Sequence, residues 1–275
     1  MSEYSEDAMN DNNMLLSRDG YAATITINRP DVRNAMASSM WKWLAETMNE
    51  LGQDNDVRCV VIRGAGDKAF ASGADISEFE VWTSEEKSRQ YGLLIETALQ
   101  NIERHPNPVI AMIQGYAFGA GCELAVACDL RIVSDVAKIG IPSAKLGVML
   151  NYENYQRVVD LAGISTAREI FFIGRALDAH RALQVGLANY IVPKAELEEF
   201  TYQIAREISE NAPLSVRGSK RVLRACLDHG MLDRGRDVDI LAELDQISAT
   251  CFLSEDVQEG VTAFFGKRKA DFKGK

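Results

Sequence analysis

The sequence predicts an α/β fold in which a strand-and-helix front is followed by a helical tail. Three observations carry that prediction. Short continuous apolar runs, CVVIR at 59–63 and VIAMI at 109–113, have the character of strands buried on both faces of a parallel sheet. Helical segments lie between such runs, the alternation of a layered α/β sheet. Past Ser165 the pattern changes, and the reading there is of helices alone.

In chain order, residues 1–13 (MSEYSEDAMNDNN) are acidic and polar and are expected to form a disordered tail. YAATITIN at 21–28 alternates in part with period two and reads as a strand ended by Arg29-Pro30. Ser38 or Ser39 then caps the helix MWKWLAETMNEL. The run at 59–63 is the next strand, and Gly64-Ala65-Gly66-Asp67 turns the chain. Thr83-Ser84-Glu85-Glu86 supplies a capping box for a long helix reaching about Arg104. The strand at 109–113 follows, and a glycine-rich turn over 115–121 feeds a helix carrying Glu123. Short strands are expected at 130–133 and 138–141. Helices then follow at 166–173, opening on Thr166-x-x-Glu169, and at 178–185, 194–211, 214–228, around 231–253 and 255–266. The expected division is a tail at 1–13, a core at 14–200 and a helical region at 201–275. Such an arm is too thin to bury its own apolar faces and is expected to pack on another subunit.

Composition narrows the function classes. In 275 residues, 40 Asp and Glu against 30 Lys and Arg give a net charge of −10, which argues against a nucleic-acid surface. The notable basic cluster is GKRKADFKGK at 266–275, the natural place for phosphate contacts. No apolar run has the length of a membrane span. The N-terminus has neither an apolar signal core nor an Arg-rich amphipathic character, so a cytoplasmic location is expected. The five cysteines (Cys59, Cys122, Cys128, Cys226, Cys251) are scattered without a C-x-x-C pair and read as reduced thiols. His105, His180 and His229 show no ligand spacing, so no metal site is expected. Gly64-x-Gly66 lacks the third glycine and the following helix of a dinucleotide-binding turn, and reads as a plain turn.

Two segments carry chemistry: FASGADISEF at 70–79 and GYAFGAGCELAVACDLR at 115–131. The second runs through its glycine-rich turn straight into an apolar helix, whose first N–H groups have no acceptor within the helix and make an anion site. Glu123 follows Ala120 by three residues, about one helical turn, so a carboxylate stands beside those donors. Donors facing an oxygen that becomes negative, with a base nearby, are what enolate chemistry at an acyl carbonyl requires. On the residues alone two readings of Glu123 stay open. It is a proton-transfer group, or it is a third-position glutamate bonding back to the helix cap. Its neighbours Cys122, Leu124, Ala125 and Val126 are apolar, and burial among them would raise its pKa. Gly115, Gly119 and Gly121 likewise read either as a site turn or as packing glycines. Ser72-Gly73-Ala74-Asp75 reads as the other half of the site, or as an ordinary turn with Asp75 capping a short helix through Phe79.

These two segments, with NRPDVRNAM at 28–36 and FFGKRKADF at 264–272, resemble the crotonase (enoyl-CoA hydratase/isomerase) superfamily from about residue 14 to the end of the chain. The resemblance implies a core of stacked ββα turns with a C-terminal helical oligomerisation region, and a homotrimer or homohexamer. It implies an acyl-CoA thioester as substrate, with coenzyme A entering as part of that substrate and no metal, redox nucleotide or prosthetic group. Two backbone N–H groups that hold the thioester oxygen map onto Ala74 and Ala120. The family more often has glycine at the second place; alanine keeps the N–H, and its methyl narrows the acyl pocket. Ala74, Asp75, Ile76 and Ser77, with Gly73 before them, map onto the stretch against the adenine end of CoA. Arg29, Arg33 and the C-terminal lysines are phosphate-contact candidates; Ala35 and Pro142 join the substrate-binding set. A lysine is common in the family where Ser77 stands.

One departure bears on the chemistry. Hydratases of this family carry two catalytic glutamates. The first maps onto Glu123; the second follows a proline in a P-E-x-x-x-G pattern, which here reads Pro142-Ser143-Ala144-Lys145-Leu146-Gly147. Ser143 occupies the place of that carboxylate, and a hydroxyl can orient water but not replace the carboxylate in proton transfer unaided. The loop Leu150-Asn151-Tyr152-Glu153-Asn154-Tyr155 also replaces a small, glycine-rich run. Glu153 reads as a solvated charge or a substitute carboxylate, and Tyr152 and Tyr155 as pocket or core residues. The leading expectation is an enoyl-CoA hydratase or isomerase. A thioester hydrolase or decarboxylase on the same scaffold and a catalytically silent acyl-CoA-binding protein are the alternatives.

Overall fold

Ten strands and nine α-helices make up the residues described by the computed structural model, 12–81 and 84–275. In chain order they are β1 (Met14–Asp19), β2 (Ala22–Ile27), α1 (Ser38–Gln53), β3 (Cys59–Gly64), β4 (Ala69–Ala71), α2 (Glu85–Glu103), β5 (Val109–Ile113), β6 (Tyr116–Phe118), α3 (Ala120–Ala127), β7 (Leu130–Ser134), β8 (Lys138–Gly140), α4 (Tyr152–Arg168), β9 (Leu177–Asp178), α5 (Ala179–Gln184), β10 (Tyr190–Val192), α6 (Leu197–Glu210), α7 (Pro213–His229), α8 (Val238–Phe252) and α9 (Glu255–Phe265). The strands fall into two sheets, β1-β2-β3-β5-β7-β10 and β4-β6-β8-β9. From β3 onward the chain drops one strand into each sheet in turn: β3 then β4, β5 then β6, β7 then β8. The helices α2 and α3 separate these pairs, and the result is a spiral of ββα turns.

The larger sheet explains the continuous apolar runs. It is parallel from β2 to β10, with Val60 opposite Val109 and Ile110 opposite Leu130. Side chains alternate across it. Val60, Ile62, Val109, Ala111 and Ile113 enter the main core between sheet, α1 and α2; Cys59, Val61, Ile110 and Met112 enter a second core under α6. Both faces are therefore dry, as the uninterrupted patterns at 59–63 and 109–113 require.

Several expectations are corrected here. The region past Ser165 is not helical throughout, for β9 and β10 close one edge of each sheet. Both are two or three residues long, too short to leave a periodic signal. The loop expected over 150–155 is instead the start of α4, whose cap is Asn151, accepting from the Asn154 N–H. Thr166 therefore opens no helix; it is buried within α4, which continues as a π-helical turn over Glu169–Ile173. α1 starts at Ser38 with Ala37 as its cap residue, so neither Ser38 nor Ser39 is the cap. The Ser38 N–H and hydroxyl instead donate to Glu78 at 2.9 and 2.6 Å. β1 was not foreseen, because only Met14 of its six residues is buried. Ser84 caps α2 by accepting from the Lys87 N–H; Thr83 lies outside the described residues. So does most of the expected disordered tail, residues 1–11, while the carbonyls of Asn12 and Asn13 accept bonds from Asn28.

At the C-terminal end, α8 buries no residue fully, and Phe252, Leu253, Phe264 and Phe265 are each about four-fifths exposed. Among the described residues no helix is long and apolar enough to cross a membrane.

Packing of α3 on the smaller sheet rests on a glycine with no room for a side chain. A Cβ on Gly121 would lie 2.2 Å from the Ala71 carbonyl oxygen, whereas one on Gly92 of α2 would meet nothing within 4 Å. Gly121→Ala is expected to cost about 3 kcal/mol or more, since backbone must move. Gly92→Ala is expected to stabilise by about 1 kcal/mol through helix propensity. Chemical denaturation midpoints of the two variants check the contrast.

Candidate active site

β4, β6 and β8 are parallel neighbours. Each ends in a loop that carries one part of the expected site: Gly73-Ala74 after β4, Gly119-Ala120 after β6, and Ser143 after β8. Carboxyl ends of adjacent parallel strands are where α/β folds place ligands, because the chain turns away there and leaves backbone groups free. The first two loops touch. A Cβ on Gly73 would sit 3.1 Å from the Phe118 oxygen and 3.8 Å from the Ala120 nitrogen. Gly73 and Gly119 both hold left-handed backbone, with φ of +117° and +51°, which brings the chain around sharply at these points.

The N–H groups of interest are held in place without being consumed. The Met36 N–H donates to Gly73 O (2.8 Å) and the Asp75 N–H to Met36 O (2.9 Å), a small parallel bridge that passes over the Ala74 N–H. Gly119 N–H is tied to Gly140 O at 2.9 Å. Ala120 is the first residue of α3, so its N–H has no partner within the helix. Glu123, one turn on, is only 3 % exposed. Burial pushes its carboxyl up to about 7, against the opposing pull of Arg157 and with a small addition from Glu96. The neighbouring thiol of Cys122 is pushed up to about 12 by burial and is no nucleophile at neutral pH.

The remaining expected residues separate into distinct groups. Asp75 accepts from the Ser77 hydroxyl (2.7 Å) and from Arg29 (2.7 Å), and these bonds hold its carboxyl below the usual range. Arg29 also donates to Ala35 O at 2.9 Å, so it braces the Gly73–Asp75 loop. Arg33, at left-handed φ of 56°, is exposed, as are Ile76 and Ser77. Of the C-terminal basic residues, Arg268 pairs with Glu259, Lys269 with Glu210 and Lys273 with Asp271. Pro142 precedes a one-turn 3-10 helix over Ser143–Leu146, and Ser143 is buried. Tyr155 stacks on Phe171 with ring centroids 4.2 Å apart and belongs to the core. Tyr152 is exposed and bonds Gln156; Glu153 is exposed in the first turn of α4, as a solvated charge.

Sequence reasoning missed the charged residues behind Glu123. Glu96 of α2 and Arg157 of α4 are buried and Glu103 of α2 is partly so, and the three are bonded together, Arg157 to Glu96 at 2.6 Å and to Glu103 at 3.0 Å. A signal existed: Glu96 and Glu103 lie two turns apart within the stripe Ile95, Leu99 and Ile102, where a solvated charge does not belong. A cavity of about 670 Å³ adjoins this cluster, lined by Val126 and Ala127 of α3, Arg157, and Lys220, Leu223 and Arg224 of α7. It lies one turn of α3 beyond Glu123, away from the Ala74–Ala120 loops. Among the described residues no three His, Cys, Asp or Glu side chains gather as metal ligands.

The raised carboxyl has a consequence for stability. The unfolded chain releases the Glu123 proton near 4.5 and the folded chain near 7, so folded protein binds more protons between these values. The stabilisation is complete below pH 4.5 and is lost as pH rises toward 7, on the order of 3 kcal/mol in all. Glu123→Gln is expected to escape this loss. It should exceed the wild type in stability at pH 8 and approach it at pH 4.5, as measured by denaturant titration at both values.

Comparison with known proteins agrees with the fold. The family model described as enoyl-CoA hydratase/isomerase matches residues 18–275. A short-chain-enoyl-CoA hydratase of Clostridium acetobutylicum is 36% identical over 263 residues, covering 94% of this chain and 97% of the relative. A crotonyl-CoA hydratase of Syntrophomonas wolfei is 34% identical over the same shares. A crystal structure of an enoyl-CoA hydratase/carnithine racemase from Magnetospirillum magneticum superposes with a TM-score of 0.90 at 35% identity, covering 97% of both chains. With a spiral of ββα turns and matches that run nearly end to end, the chain belongs to the enoyl-CoA hydratase/isomerase family of the crotonase superfamily.

Proposed function

We propose that the protein hydrates, or shifts the double bond of, a short 2-enoyl-CoA thioester, with Glu123 as its proton-transfer residue. The observation that carries this reading is a buried carboxyl brought to about 7, one helical turn from the Ala120 N–H, with the Gly73–Ala74 loop packed against Phe118 and Ala120. Near neutral pH such a group is populated in both protonation states, so one residue can act as base and then as acid. In hydration, Glu123 takes a proton from water as the water oxygen bonds to C3. The π electrons move onto the thioester oxygen, where the N–H groups of Ala74 and Ala120 stabilise the negative charge. Glu123 then gives its proton to C2 and the carbonyl re-forms; one water has been added and the carboxylate restored. For isomerisation the same carboxylate carries one proton between the α and γ carbons.

Ser143 serves as a neutral hydrogen-bonding wall of the pocket, since its hydroxyl cannot take up a proton at these pH values. The Ala120 methyl and the names of the relatives, short-chain-enoyl-CoA and crotonyl-CoA hydratases, favour a short acyl chain. Arg33, exposed beside the loop, is proposed to meet a CoA phosphate, while Arg29 supports the loop through Asp75. The apolar surface left on α8 and α9 supports a homotrimer or homohexamer. Five free cysteines fit a reducing, cytoplasmic setting.

Mass-resolved turnover of a panel of acyl-CoA esters, crotonyl-CoA included, tests the reading. A water adduct or a shifted double bond is expected, and Glu123→Gln should lower kcat by about 10²–10⁴-fold. Free CoA or carbon dioxide as product would replace this reading with the hydrolase or decarboxylase. Binding of the esters with no turnover of any would point to the silent acyl-CoA-binding protein. Ser143→Ala is expected to lower kcat less than about tenfold, because it removes a hydrogen bond and not a proton carrier.

A further inference from the structure

α3 packs against both α2 and α4, and the charges that those two helices bring together beside it are bonded to one another. Arg157 donates from Nε to Glu103 (3.0 Å). One terminal nitrogen donates to Glu96 and Asn154, both at 2.9 Å, and the other to Glu96 at 2.6 Å and Glu103 at 3.0 Å. All five guanidinium N–H donors are thus occupied. Glu96 also accepts from Gln100 (2.9 Å) and Asn151 (3.0 Å), and Glu103 pairs with Arg224 at 3.0 Å. Arg224 in turn pairs with Asp228 at 2.8 Å, so the set runs out to the end of α7. No donor of Arg157 remains for Glu123, so the guanidinium acts on it only through space.

The other groups facing Glu123 are neutral at working pH. Tyr91 of α2 is buried, and burial holds its phenol well above its ordinary value; Cys122, on α3 itself, is raised in the same way. β4 has no titratable side chain and β6 only Tyr116. Among the described residues, the formal charges that reach Glu123 are therefore Glu96 and Arg157.

Resting on the reading of Glu123 as the proton-transfer residue, we infer that the Glu96–Arg157 ion pair is a positioning element for it, whose balanced charges fix how readily that carboxyl gives up and takes back a proton. A guanidinium bonded directly to Glu123 would hold it as a carboxylate that returns no proton. An unbalanced Glu96 would hold it as an acid that takes none. The pair avoids both because its bonds are turned toward Glu103, Asn151, Asn154 and Gln100. Asn151 and Asn154 come from the segment that departs from the glycine-rich family pattern, so the departure supplies the bonds that anchor the pair.

The test titrates Glu123 itself in the full-length protein. The carboxyl C=O stretch is isolated as the infrared difference between each protein and its Glu123→Gln counterpart, alongside the pH profile of kcat. Glu96→Gln keeps the side-chain shape and removes one negative charge. The Glu123 midpoint is expected to fall by about one pH unit or more, and the acid limb of kcat to move with it. Glu103→Gln removes a charge from the far side of Arg157 and provides a second, independent variant, with a smaller fall in the same direction. An unmoved or raised midpoint in either folded variant overturns the proposal. So does a lower kcat with an undisplaced profile, the mark of a packing role. The infrared midpoint does not depend on turnover. A displaced midpoint in a protein that converts no enoyl ester would support the pair's action on Glu123 while refuting the functional reading.

Discussion

Three strands of three residues each cannot hold a sheet on ladder hydrogen bonds alone, yet β4, β6 and β8 must stay parallel and adjacent for the site to exist. What holds them is backbone contact enforced by missing side chains. Gly121 lets α3 rest directly on the Ala71 carbonyl, and Gly115 lets the chain before β6 rest on the Lys68 carbonyl, where a Cβ would come within 2.0 Å. The buried amides of Gln114 and Asn34 both donate to Ala69 O, at 2.7 and 2.8 Å, and pin β4 from two sides. The turns after these strands then have little freedom. On the proposed reading, the N–H groups of Ala74 and Ala120 take their placement from that packing, as preorganised donors require.

The same economy governs the charge inside the site. A carboxylate buried in this core without compensation would stay protonated well above neutrality, and one bonded to an arginine would stay ionised well below it. Glu123 sits between these limits because burial in an apolar helix raises it while Arg157 and Glu96 act on it in opposite directions. The cost appears as lost stability at neutral pH, a local destabilisation of the kind that functional sites carry. Structural and electrostatic demands meet on α3: its apolar face fixes the helix in the core, and that burial moves the proton affinity of its one acidic residue.

Much of this was legible in the sequence, and the illegible part has physical causes. The runs at 59–63 and 109–113 announced themselves because both faces of the sheet are buried. The site turns were visible as glycines at fixed places around Ala74 and Ala120. β4, β6, β9 and β10 were missed because two or three residues cannot display a period, and their pairing is decided by distant partners. The first turn of α4 was read as part of a loop over 150–155, a stretch whose Asn151 and Asn154 are turn-forming residues. In fact the Asn151 side chain caps the helix while also donating to Glu96, a buried acceptor 55 residues away in sequence. A cap is recognisable locally; a cap that also satisfies a remote carboxylate is not.

That double use of Asn151 bears on the absent second glutamate. A carboxylate at position 143 would enter a buried position at the start of the 3-10 helix after Pro142. Ser143 is neutral and places no second carboxylate in the loop after β8. In a site with two carboxylates, each raises the proton affinity of the other, and acid and base roles can be divided between them. With one, both roles fall to the same group, and its proton affinity has to lie near the working pH. On the proposed reading of Glu123, Ser143 leaves a single buried carboxyl both to lose and to regain a proton, and the asparagines of α4 anchor the ion pair that acts on it.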